Sequence, residues 1–135
     1  MPSSQRKRYW NRLVLETRRQ PTLHLDADTS SKALHQALLP HGYDVTRPPN
    51  DWMPQDADDE AQLLGTTAHG RIIVTYHVKD FIALGQQYTM HAGIVLAAQR
   101  SWRLSTLISA LERLIVETSA EEWIGQVRWL NQWRT

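Results

Sequence analysis

The sequence predicts an α/β domain, a short parallel sheet with helices on both faces, and three observations lead there. Residues 71–75 and 93–97 are short, nearly continuous apolar runs, the mark of strands buried on both faces. Between such runs lie segments with apolar residues at helical spacing. The two kinds alternate in the order βαβαβαβαα, and a parallel pair needs a helical crossover that packs back on its sheet.

Each element has its own warrant. Residues 23–26 form a first strand with Leu23 and Leu25 at alternate positions. Thr29 or Ser30 can cap a helix carrying Ala33, Leu34, Ala37, Leu38 and Leu39, closed by Pro40 and Gly42. Residues 44–46 are a second strand, and the three prolines of 47–56 deny that stretch regular structure. Residues 57–68 read as a helix stopped by Gly70, 71–75 as a strand, 79–87 as a helix and 93–97 as a strand. Leu104, Leu107, Ile108, Leu111, Leu114 and Ile115 fall on one helical face. Ser119 and Glu122 match a capping box that opens a second terminal helix with Trp123, Ile124, Val127 and Leu130 on one side.

Composition narrows the function classes. At 135 residues and 41% hydrophobic, the chain can bury a core of its own. It has no cysteine, which removes disulfide frameworks, thiolate metal sites and thiol nucleophiles, and agrees with a cytoplasmic setting. No apolar run is long enough to span a bilayer, and the N-terminus lacks the apolar core of a secretory signal, so no membrane role is expected. The net charge of +1 hides a split: residues 1–22 carry +5, and the remainder carries −4. Tyr9, Trp10, Leu13 and Val14 give residues 5–19 an amphipathic helical pattern, so residues 1–21 read as a basic helical arm and 22–135 as one domain with C-terminal helices. In a nuclease the arm would attract phosphate and the acids would hold cations; a solvated tail and a solvated loop have the same composition.

In an open parallel sheet, functional groups gather beyond the carboxyl ends of the strands. The first strand runs out into Asp26 and Asp28, the helix after the second strand opens with Asp58, Asp59 and Glu60, and Asp80 follows the third. Crowded carboxylates repel unless a cation sits among them, and Mg²⁺ or Mn²⁺ takes oxygen ligands of this kind. Such a cluster suits phosphodiester hydrolysis. Each acid also reads singly as a helix cap or first-turn residue. Thr75 can cap a strand end or contact phosphate, and His77 can contact substrate, but the histidines show no metal-ligand spacing. There is no Gly-rich phosphate loop and no GxSxG elbow.

The segments LHLDADTSSKALHQALLPHGYDV, DADDEAQLLGTTAHGRIIVTYHVKDFIAL and HAGIVL, in that order over about residues 22–117, resemble the compact PIN-like domains of bacteria and archaea. That resemblance implies a three-layer α/β/α domain and a Mg²⁺- or Mn²⁺-dependent endoribonuclease. It also implies a VapC-like toxin of a type II toxin–antitoxin pair, with RNA as substrate and a cognate antitoxin as partner, and leaves room for a homodimer. Position by position, Asp26, Asp59, Asp80 and Thr75 fall on the catalytic positions, and Asp26, Asp28, Asp59 and Asp80 on the metal-binding ones. Arg6, Lys7, Arg8, Arg12, Lys79 and His77 are the expected RNA contacts. The chain departs from the pattern at Ala27, Asp58, Ala61 and His77, where Glu, Ser, Glu and Asn are usual.

Two other readings compete. A catalytically weak or inactive PIN-like module that binds a protein would also use this shell, and the six tryptophans suit partner contact as well as helix packing. LDADTS also matches a haloacid-dehalogenase nucleophile motif, but that family places its metal-binding acids after the threonine, whereas here Asp58 and Asp59 precede Thr75.

Overall fold

The computed structural model describes residues 18–29 and 32–134. Its strands are β1 (Leu23–Leu25), β2 (Val45–Thr46), β3 (Ile72–Thr75), β4 (Ile94–Leu96) and β5 (Val127–Trp129). They form one sheet in the order β2-β1-β3-β4-β5, with every neighbouring pair parallel. The helices are α1 (Lys32–Leu38), α2 (Asp59–Ala68), α3 (Val78–Gln87), α4 (Leu104–Glu117) and the single turn α5 (Ala120–Trp123). The α/β class with a short parallel sheet is therefore as the sequence predicts. No described helix is long and apolar enough to cross a membrane.

Successive strand residues face opposite sides of a sheet, and the core divides accordingly. Leu23, Leu25, Ile72, Val74 and Val95 cluster with Leu34 and Leu38 of α1 and Leu107, Leu111, Leu114 and Ile115 of α4. The intervening residues Ile73, Ile94 and Leu96 cluster with Leu63 of α2 and Phe81 of α3. Each fully buried Leu, Ile or Phe contributes about 1.5–3 kcal/mol. The β1–β3 register sets Leu25 beside Val74, so the next residues, Asp26 and Thr75, continue along the face shared with α2 and α3. His24 lies on that face too, fully buried, with Nδ1 2.8 Å from Thr46 Oγ1. Burial, reinforced by Arg71, lowers its pKa to about 4, so it is neutral in the fold.

The C-terminal end differs from expectation. Ser119 N–H donates to Glu122 Oε1 at 2.7 Å, as the capping pattern requires, but the helix stops at Trp123. Gly125 then adopts φ +71°, and Val127–Trp129 adds a fifth parallel strand beside β4. The order is thus βαβαβαβααβ. Trp123 and Trp133 are both buried, with ring centroids 5.5 Å apart.

The helical arm falls mostly on residues 1–17, outside the described residues, as do Arg6, Lys7, Arg8 and Arg12. Residues 18–21 have no regular secondary structure. Arg19 is tied to α5 instead: its Nε lies 2.8 Å from Glu121 Oε1, and its carbonyl accepts from Ala120 N–H at 2.9 Å.

One glycine is needed to let α5 close on the sheet. Gly93 has φ +135°, and a Cβ there would lie 2.9 Å from Trp123 Cβ and 3.1 Å from Trp123 O, neither of which can swing away. Gly93→Ala should therefore lower unfolding stability by about 2 kcal/mol, measured by urea denaturation.

Candidate metal centre

The site begins with a buried carboxylate. Asp26 is 1% exposed. Its Oδ1 accepts from Thr29 N–H at 2.8 Å and from Thr29 Oγ1 at 2.6 Å, while Thr75 Oγ1 donates to Oδ2. Thr29, expected as a cap for α1, is thus engaged by Asp26; Ser30 lies outside the described residues. Two oxygens with about four acceptor positions receive three bonds, so an anion otherwise expensive to bury is well satisfied. Thr75 Oγ1 in turn accepts from the backbone N–H of His77 at 3.0 Å, which fixes the start of α3 against β1.

The α2 start supplies the next group. Asp58 is the N-cap, its Oδ1 accepting from Ala61 N–H at 2.8 Å. With that task taken, Asp59 in the first turn is free to face α3, and its Oδ1 lies 3.1 Å from His77 Nδ1. The other ring nitrogen of His77, Nε2, pairs with Asp28. The hydrogen bond to Asp59 is the largest of the effects that raise the His77 pKa, with the charges of Asp59, Asp26 and Asp28 acting the same way against a smaller desolvation. The neighbouring Tyr76 is also shifted upward, first by burial and then by Asp26.

Asp80, exposed on the first turn of α3, completes a group with Asp59 and His77 whose potential ligand atoms all lie within 4.8 Å of one another. Two carboxylates and an imidazole are donors that divalent ions accept, so this group fits a metal ion by its chemistry. Asp26 is linked to the group through Thr75, whose hydroxyl bonds both Asp26 Oδ2 and the His77 backbone N–H.

The structure therefore brings Asp26, Asp28, Asp59, Thr75 and His77 into one hydrogen-bonded assembly and sets Asp80 beside it. Lys79 is exposed on the same helix turn. By sequence the histidines show no ligand spacing, and His77 is expected as an RNA contact. Its partners, however, come from the turn after β1 and from α2, so the signal is in tertiary structure alone. Thr29 was missed as a partner of Asp26; the Asp-x-x-Thr spacing of a side chain bonding three residues ahead is the pattern that reveals it.

No family model, no curated protein and no solved structure matches this chain.

Two outcomes follow from the hydrogen bonding. Thr75→Val removes a donor from buried Asp26 and should lower stability by about 1–3 kcal/mol in chemical denaturation. Because the folded pKa of His77 lies above its ordinary value of 6.5, its pairing stabilises the fold fully below that value and is lost as pH rises through the folded value. Stability should thus fall as pH rises above 6.5, and the fall should be smaller in His77→Asn.

Proposed function

We propose that this chain is a divalent-metal-dependent endoribonuclease with a three-layer PIN-like domain, acting as the toxin of a toxin–antitoxin pair in the cytoplasm. One observation carries the reading. Carboxylates from the ends of β1 and β3 and from the start of α2 converge on one edge of the sheet. That edge lies at the point where the strand order reverses between β1 and β3. The resemblance of residues 22–117 to PIN-like domains supports the nuclease class, RNA as the substrate and an antitoxin as the partner.

Asp59, His77 and Asp80 would hold the ion, with Asp28 at the rim. An ion held there supplies Lewis acidity toward a phosphate oxygen and makes water a better nucleophile. Asp26 orients the Thr75 hydroxyl and through it the start of α3, so it positions the ligand-bearing turn. Lys79, exposed beside Asp80, would attract the RNA backbone.

A PIN-like module that only binds a protein is the second reading, and one observation favours it. The three bonds that Asp26 accepts from Thr29 and Thr75 suit a structural carboxylate, and Ala27 and Ala61 supply no further acids.

The test is RNA cleavage by the full chain with Mn²⁺ or Mg²⁺, against a chelator control. Asp80→Asn, at an exposed position outside both core clusters, should keep the fold and reduce cleavage by about 100-fold. Asp26→Asn should abolish cleavage and growth inhibition while lowering stability. If the wild-type protein leaves all RNA classes intact with either ion, the binding module replaces the enzyme.

A further inference from the structure

On the reading of this site as a divalent-ion centre, we propose that His77 makes it a mixed nitrogen–oxygen site that selects transition-series ions over Mg²⁺. Donor chemistry and placement carry the proposal. The ligand atoms of Asp59, His77 and Asp80 lie within 4.8 Å of one another, and one of the three residues supplies an imidazole nitrogen. His77 Nδ1 lies 3.1 Å from Asp59 Oδ1, so one ion can take both atoms as ligands once the proton between them leaves. Mg²⁺ favours oxygen ligands and gives up its waters reluctantly. Imidazole binds the later first-row ions better, in the order Mn²⁺, Co²⁺, Ni²⁺.

The ring is also held in place before any ion arrives. The backbone N–H of His77 is anchored on Thr75 Oγ1, whose own proton goes to buried Asp26. His77 is the N-cap residue of α3, yet its side chain makes no capping bond, and its two ring nitrogens face Asp59 and Asp28 instead. Asparagine is a favoured N-cap, so His77→Asn removes the nitrogen ligand while retaining the helix start.

The experiment uses the full chain and the metals alone. Calorimetric titration should show Co²⁺ binding at least about tenfold tighter than Mg²⁺. In His77→Asn the Co²⁺ affinity should drop about tenfold or more, with Mg²⁺ little changed. Electron spin echo spectra of the Mn²⁺-loaded protein should show coupling to an imidazole nitrogen that vanishes in His77→Asn. Mn²⁺ bound without that coupling, coupling that survives the substitution, or equal losses of Co²⁺ and Mg²⁺ would overturn the selectivity proposal and leave the metal centre standing. Failure to bind any of these ions would remove both the proposal and the metal-dependent reading beneath it.

Discussion

The site depends on the buried bond between Asp26 and Thr75. It joins the ends of two adjacent parallel strands on the face that α2 and α3 cover, and its geometry follows from the register that pairs Leu25 with Val74. An unsatisfied carboxylate at this depth would destabilise the domain by several kcal/mol. Satisfied by two threonines, it becomes a fixed point from which the first turn of α3 is suspended. The relative placement of Asp59, His77 and Asp80 then depends on two helix starts. One is set by the Asp58 cap and the other by the Thr75 hydroxyl.

The charge split acquires a more specific meaning in this light. The acids on the sheet edge are not equivalent: Asp58 caps a helix, Asp26 is an internal brace, and Asp59 and Asp28 bracket a histidine. A raised imidazole pKa lets the ring carry positive charge between two carboxylates, which relieves part of their repulsion without an ion. His77 is thus a group that can neutralise the cleft or ligate within it.

Most strands were legible in the sequence because buried parallel strands need unbroken apolar runs, and Ile72, Ile73 and Val74 leave no other option. The Asp58–Glu60 helix start and the Ser119–Glu122 pattern were legible because capping is local. The fifth strand was not. Trp123, Val127 and Leu130 satisfy helical spacing, yet the helix ends at Trp123 and Gly125 turns the chain in a left-handed conformation. Of the three, only Val127 lies in the half-exposed edge strand. The carboxylates could be assigned to one sheet edge from strand ends, since parallel topology fixes which edge that is. His77 could not, because its two partners lie on separate elements upstream.

All the proposed chemistry lies on one face of the sheet, and this divides the molecule's labour. The crowded acids lie on the face covered by α2 and α3, whose described core cluster is the smaller. The larger apolar cluster, beneath α1 and α4, holds most of the buried leucines and none of the proposed ligands. The α1 and α4 residues of that cluster supply stability from elements that carry none of the proposed ligands. The face of α2 and α3 can therefore carry charged groups that a stability optimum would not select.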